Sequence, residues 1–260
     1  MVTLGSLEII DLVQGTFSLL FVIISLIIGI TILLKYFKFK TKIFILMGFS
    51  WIGLASPWFP DSISFLIMLF GGSSIPIDLY LLIGNVLLPF FLLIWIWAFS
   101  ELLYKDKQKL LLAIFLVLAI IFEATFFIFY NIDIETYLGE YQRVFQIEFK
   151  EFLTLYLVGF VIILLITGVL FARNSLKSES PEVKVKGKFL MAAFISFCIG
   201  ALLDAVTGLI FTDILGLLLT SPVISIFVGV VRSILILSAI EFYIGFILPP
   251  FVKKIFQKKE

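Results

Sequence analysis

Seven long apolar segments, separated by short polar ones, constrain this 260-residue chain more than any other feature. A helix that crosses a bilayer needs about 20 mostly apolar residues, because each residue rises about 1.5 Å. Apolar residues make up 62% of the sequence and charged residues 14%, more apolar surface than a water-soluble domain can bury. The sequence therefore predicts an all-α polytopic membrane protein, a single seven-helix bundle over residues 1–260. The predicted spans are about residues 12–34, 43–59, 79–100, 110–130, 152–171, 189–211 and 223–248.

Basic residues are divided very unevenly between the two sets of connecting loops. One side of the predicted bundle holds 16 basic and five acidic residues, and the other holds two basic and ten acidic residues. Cytoplasmic loops of membrane proteins are enriched in lysine and arginine. We therefore predict a multi-pass protein of the cell membrane with its N-terminus outside and its C-terminus in the cytoplasm. The basic cytoplasmic face is also expected to attract anionic lipid.

Two stretches outside the predicted spans need separate interpretation. Residues 63–70 are apolar but too short to cross a bilayer, and they follow two prolines. We interpret them as an interfacial or re-entrant piece on the outer side, with a kinked extension of the second span as the alternative. In the outer loop at 131–151, aromatic residues recur every fourth position, which predicts a surface helix leading into the fifth span.

The positions of two residues inside the predicted spans, Pro89 and Trp51, predict local structure. Pro89 has no backbone N–H and is expected to kink the third span near Asn85. Trp51 falls near mid-depth of the second span, away from the interfacial positions that tryptophan prefers. We predict that Trp51 packs in the core rather than contacting a ligand.

Four charged residues fall inside the predicted spans: Glu123, Asp204, Arg232 and Glu241. At about 1.5 Å per residue, Glu123 and Asp204 lie about 10 Å below the outer border, and Arg232 lies about 13–14 Å below it. A charge near the centre of a span costs about 2.5–3.5 kcal/mol, so such residues usually face the bundle interior and are paired. We predict that Glu123, Asp204 and Arg232 share one level of the bundle.

Two uncharged polar residues, Asn85 and Thr207, are expected at the same level. Together with the three charges they suggest a polar cavity that opens outward and binds a ligand or holds a switch. A buried charge network that fixes helix register and binds nothing is the alternative. Glu241 lies near the inner border on the opposite face of the seventh span, where it is expected to pair with an inner lysine or to reach water.

The residue inventory excludes several classes of chemistry. The chain has no histidine and one cysteine, Cys198, so it cannot form a Ser-His-Asp or Cys-His nucleophile, an internal disulfide or a histidine-ligated metal centre. We therefore expect no catalytic residue, no metal and no cofactor. Nucleic acid is not an expected partner of a chain with this composition.

The predicted topology resembles that of the seven-helix input regions of prokaryotic sensor kinases. Those regions share short loops, an outside N-terminus and an apolar bundle that feeds a cytoplasmic output. The lysine of retinal proteins is missing from Val223–Leu248, and the inner end of the third span lacks Asp-Arg-Tyr, the motif of G-protein-coupled receptors. We expect a receptor-like protein that senses a small or lipid ligand from outside and signals to a cytoplasmic protein. A small transporter or channel with a buried Glu/Asp/Arg relay is the alternative, and a structural subunit is a third.

Overall fold

Seven helical segments are long and apolar enough to cross a membrane in the computed structural model, which describes residues 4–207 and 222–257. These segments are Ile9–Phe39, Ile43–Leu69, Ile77–Leu103, Lys105–Ile132, Glu151–Leu176, Pro181–Ala205 and Pro222–Ile247. The predicted all-α bundle is therefore confirmed. Residues 208–221, which include Asp213 and the predicted end of the sixth span at 211, lie outside the described residues.

Eleven α-helices, one β-hairpin and three short 3₁₀ turns make up the regular structure of the described residues. The helices and strands are α1 (Ile9–Phe39), α2 (Ile43–Leu54), α3 (Phe59–Leu69), α4 (Ile77–Asn85), α5 (Leu88–Leu103), α6 (Gln108–Ile132), α7 (Ile134–Tyr137), β1 (Gly139–Arg143), β2 (Gln146–Phe149), α8 (Glu151–Leu176), α9 (Pro181–Ala205), α10 (Pro222–Ile247) and α11 (Pro250–Gln257). Two spans are composite. The second joins α2 to α3 through a 3₁₀ turn at Ser56–Trp58, and the third joins α4 to α5.

Six of the seven spans form a closed ring. Starting from α1, the packing runs through α2 to α5, from α5 to α8, and then through α9 and α10 back to α1. The fourth span, α6, packs mainly on the outside of this ring against α5. Only 17% of the most apolar 18-residue stretch of this span is buried. The exposed apolar side chains of α6 are those expected of a helix that faces lipid.

Prolines interrupt the second span without ending it. Pro57 lies in the 3₁₀ turn and Pro60 in the first turn of α3, where a missing backbone N–H is tolerated. Beyond them α3 packs along α1, and a Cβ placed on Gly15 would lie 2.5 Å from the Phe65 ring. Residues 63–70 therefore do not form a separate interfacial or re-entrant piece, and the alternative, an extension of the second span, is correct as far as Leu69. The third span likewise breaks between α4 and α5, where Pro89 lies in the first turn of α5.

The predicted surface helix at 131–151 is wrong, because this loop forms one helical turn, α7, followed by the hairpin of β1 and β2. Tyr141 pairs with Ile147 while Glu140 pairs with Glu148, so apolar and acidic side chains alternate between the two faces. An aromatic residue at every fourth position fits one face of a strand as well as one face of a helix. The finer alternation of period two is the signal that distinguishes the strand.

Aromatic side chains fill the half of the bundle that leads towards the lysine-rich loops. Trp51 is 1% exposed and stacks on Phe242 with ring centroids 3.9 Å apart. Trp95 and Phe194, both buried, pack with centroids 5.0 Å apart in the same cluster. Trp51 is thus a core residue, as the sequence predicts, and this half of the bundle is solidly packed.

Candidate functional site

A buried arginine lies at the centre of the bundle. Arg232 on α10 is 2% exposed, and its Nη2 lies 3.2 Å from Oδ1 of Asp204 on α9. The same Nη2 lies 3.4 Å from Oδ2 of Asp61 on α3, which is equally buried at 2% exposed. The guanidinium carbon lies 5.7 Å from the centre of the Trp58 ring, within cation–π distance. We call Arg232, Asp61, Asp204, Trp58 and Tyr80 the arginine cluster.

Every carboxylate oxygen of this cluster has at least one donor. The Ser18 hydroxyl donates to Oδ2 of Asp61 at 3.0 Å, and the Tyr80 hydroxyl donates to Oδ1. The Trp58 indole N–H donates to Oδ2 of Asp204 at 3.0 Å. Each of the four carboxylate oxygens therefore has a hydrogen-bond or ion-pair partner, and the partners come from four different spans.

The arginine itself is only partly satisfied. Its Nε and Nη1 atoms are buried and find no hydrogen-bond acceptor among the described residues. A guanidinium carries five N–H donors, and three of them belong to these two nitrogens. Leaving buried donors of a charged group unpaired is costly, and buried polar groups in proteins are almost always hydrogen-bonded. The side chain therefore has unused capacity to bind an acceptor.

A cavity of about 700 Å³ adjoins the arginine cluster. Its volume lies within the roughly 300–1,000 Å³ that is typical of small-molecule sites. The lining comes from all six spans of the ring and from the β-hairpin, which covers one end. Polar lining residues besides the cluster include Gln14, Asn85 and Thr207, and apolar ones include Leu54, Leu88, Phe160, Phe197 and Val228.

The structure brings together some of the residues that the sequence singles out. Arg232 and Asp204 form an ion pair, and Asn85 and Thr207 line the cavity beside them. The amide of Asn85 donates to the Leu81 carbonyl at 3.0 Å, and the hydroxyl of Thr207 donates to the Leu203 carbonyl at 2.7 Å. Each of these donors is thus paired with the backbone carbonyl four residues earlier.

Glu123 does not join the arginine cluster, contrary to the expectation that three charges share one site. It lies on α6, the span outside the ring, and both its carboxylate oxygens are buried without a hydrogen-bond partner among the described residues. Equal depth was the basis of the prediction, and depth alone does not show which helices are neighbours. Glu241 accepts a hydrogen bond from the Ser196 hydroxyl at 2.6 Å rather than pairing with a lysine of the described chain.

Asp61, Trp58 and Tyr80 are the cluster residues that the sequence interpretation missed. The sequence prediction ends the second span at residue 59, because the apolar run is short and ends in a proline-rich sequence, and it therefore places Asp61 in an outer loop. The prolines in fact allow the span to continue, which carries Trp58 and Asp61 into the bundle. An acidic residue flanked by two apolar runs that together could cross a bilayer is the signal that could have identified Asp61.

The hairpin is fastened to the start of α1 by a second arginine. The Arg143 guanidinium donates from Nε and Nη2 to the two oxygens of Asp11, at 3.1 and 2.8 Å, and Nη2 also lies 3.0 Å from Glu8. These hydrogen bonds raise the pKa of Arg143 above its ordinary value. Gln14 donates to the Phe145 carbonyl, and the Tyr141 hydroxyl donates to the Ile75 carbonyl at 3.0 Å. The hairpin is therefore held over the cavity by contacts with the first and third spans and the segment before α4.

Replacing Arg143 with glutamine is expected to loosen the hairpin. Loss of the bidentate pair with buried Asp11 should lower the free energy of hairpin opening by about 1.5–3 kcal/mol, the range for hydrogen bonds to charged groups. Hydrogen–deuterium exchange over residues 139–149, followed by mass spectrometry, measures this opening. Lys150→Gln is the matched control, since Lys150 pairs with the more exposed Glu140 and Glu148 and should contribute less. Equal exchange in the two variants would show that Arg143 does not fasten the hairpin.

Fold and site together define a seven-helix bundle of the membrane-spanning type, with a buried arginine beside a capped cavity. The chain matches no protein-family model, no curated protein and no solved structure.

Proposed function

We propose that this protein is a receptor-like membrane protein, in which a small or lipid ligand enters the cavity from the outer side and alters contacts with a cytoplasmic partner. The observation that carries the proposal is Arg232, which is buried beside the cavity with two nitrogens that lack an acceptor among the described residues. A structural ion pair needs no such excess of donors. Charged residues inside membrane spans are rare and costly, and they mark substrate or ion sites in many membrane proteins.

The packing of the bundle favours binding over conduction. Between the arginine cluster and the lysine-rich loops lie Trp51, Phe242, Phe194 and Trp95, all buried and in ring contact. A pathway for ions or solutes needs polar groups or water along its length, and these four side chains are aromatic rings in mutual contact. Glu123, one member of the relay in the alternative function, lies outside the ring.

The proposed orientation places the hairpin outside and the lysine-rich loops in the cytoplasm, in accord with the positive-inside rule. Helix α11 supports contact between lipid and the side of the bundle that holds the lysine-rich loops. It exposes Phe251 and Ile255 together with Lys254, and Lys253 ties the helix to Glu182 of α9 at 2.6 Å. Apolar and basic side chains on one short helix are typical of a segment that lies at an anionic membrane surface.

Single cysteines test this orientation directly, because the one native cysteine, Cys198, is buried and can be replaced by alanine. In that background, Thr136→Cys in α7, the short helix before the hairpin, should react with a membrane-impermeant maleimide added to intact cells. Ser178→Cys in the loop between α8 and α9 should react only after the cells are permeabilised. The reverse pattern would overturn the orientation.

Reconstitution in liposomes distinguishes the proposed receptor function from the alternative transporter function. Purified protein in liposomes with an internal pH dye should show no proton flux above empty liposomes when a pH gradient is imposed. Crosslinking from Ser178→Cys in native membranes should recover one defined partner, which the same crosslinker placed at Thr136→Cys does not recover. Flux that Asp204→Asn abolishes would replace the proposal with the transporter.

A further inference from the structure

We infer that the cavity takes an uncharged, mostly apolar molecule whose carbonyl oxygen accepts hydrogen bonds from Arg232. The inference rests on the proposed function, that the cavity is a ligand site, and it specifies the class of ligand. Its basis is the balance of donors, acceptors and charges around the cavity.

Hydrogen-bond capacity at the site is unbalanced in one direction. All four oxygens of Asp61 and Asp204 have donors, whereas Nε and Nη1 of Arg232 have no acceptor among the described residues. A ligand that brings only a donor leaves the three N–H groups of these two nitrogens without an acceptor. A ligand that brings an acceptor supplies the missing partner, once small shifts of the side chains that cover Nε and Nη1 expose them.

The charges that line the cavity restrict the class of ligand further. The charged residues that line the cavity are Asp61, Glu148 and Asp204 against Arg232, so negative groups outnumber positive ones. A carboxylate or phosphate bound to Arg232 would approach two acidic side chains that lie within 3.4 Å of the same guanidinium. An ammonium group brings only donors, so it would leave Nε and Nη1 of Arg232 without an acceptor, and it would lie beside the positively charged guanidinium. An oxygen acceptor without net charge avoids both costs.

The apolar walls of the cavity match the apolar part of the proposed ligand. Leu54 and Leu88 line one side, and Phe160, Phe197 and Val228 line others. Pockets of this kind orient a ligand with a few polar contacts and bind it through apolar surface. A fatty ester, which carries one carbonyl group on a flexible chain, has the required combination.

Three photoreactive probes with the same dodecyl chain and diazirine test the inference on the whole protein in lipid nanodiscs: a methyl ester, a free carboxylate and an alkylammonium. Crosslinked residues are located by mass spectrometry. Labelling at Leu54 and Leu88 is normalised to labelling at Ile120 and Ile121, which are exposed on α6 and report simple partition into lipid. The methyl ester should label the cavity positions about tenfold more than either charged probe, equivalent to about 1.4 kcal/mol.

Arg232→Lys isolates the hydrogen-bonding role of the guanidinium. Lysine keeps a positive charge beside Asp61 and Asp204 but loses the planar set of donors, so ester labelling of the cavity should fall about tenfold. Arg173→Lys, at an exposed position on α8, is the matched control and should change nothing. The comparison of the three probes on the unaltered protein needs no variant, so the inference stays testable if Arg232→Lys fails to fold.

The outcomes distinguish the inference from the proposed function. Stronger or equal cavity labelling by the carboxylate or the ammonium would overturn the uncharged class and leave the cavity as a ligand site. Normalised labelling that is no greater in the cavity than on α6 for all three probes would overturn the ligand site itself, and the inference with it.

Discussion

Replacement of Arg232 with methionine is expected to destabilise the folded bundle severely, by about 3–5 kcal/mol, the cost of removing one partner from a buried ion pair. The change leaves Asp61 with no counter-charge at a position that is 2% exposed. Asp204, with a side chain 20% exposed, keeps more contact with the cavity and should suffer less. The measurement is the midpoint of thermal unfolding and the yield of monodisperse protein after purification in mild detergent.

A double variant tests whether the loss of stability comes from the unpaired charge of Asp61. Asp61→Asn in the Arg232→Met background removes the stranded charge while its carbonyl oxygen can still accept from Tyr80 or Ser18. It should restore most of the lost stability, and Asp204→Asn should restore less because that side chain is less buried. Arg173→Met, a matched change at an exposed position, should be neutral. Normal stability of Arg232→Met alone would contradict the ion pair.

Trp51→Ala is expected to have the second large effect. The side chain is 1% exposed and stacks on Phe242 at 3.9 Å, so truncation leaves a void in the aromatic half of the bundle. Removal of a buried tryptophan costs about 3–5 kcal/mol, and the same thermal unfolding assay detects it.

Trp51→Phe is the matched control for this change. The indole nitrogen of Trp51 has no hydrogen-bond acceptor among the described residues, so phenylalanine gives up no such bond and keeps a stacked ring. It should cost far less than alanine. Equal losses for the two variants would show that stacking and volume at this position do not stabilise the bundle.

The fold could be predicted further from the sequence than the site could. Seven apolar runs and their loops predict seven helices because length and hydropathy are local properties. The second span and the hairpin were predicted less well. Pro57 and Pro60 interrupt a span that nevertheless continues, and an aromatic residue at every fourth position fits both a helix and a strand.

The pairing of residues in the site depends on which spans are neighbours, and this is not a local property. Depth along each helix placed Arg232, Asp204 and Glu123 at one level, and the first two do meet. Glu123 does not, because α6 packs outside the ring. Asp61 was missed because its span was cut short at the prolines. The sequence therefore predicts one of the two acidic partners of Arg232, Asp204, and misses the other, Asp61.

The central claim is that the cavity beside Arg232 can be reached from the side that the hairpin covers, which we propose to be the outer side, and is closed towards the lysine-rich loops by packed aromatic side chains. Two single cysteines on α9, in the Cys198→Ala background, test it most directly: Ala201→Cys, which lines the cavity, and Ala193→Cys, which lies two turns further into the aromatic cluster and is fully buried. A small charged methanethiosulfonate reagent added from outside should modify the cysteine at 201 and leave the one at 193 unmodified. Modification of both from outside, or of the cysteine at 201 from the cytoplasmic side alone, would contradict the account.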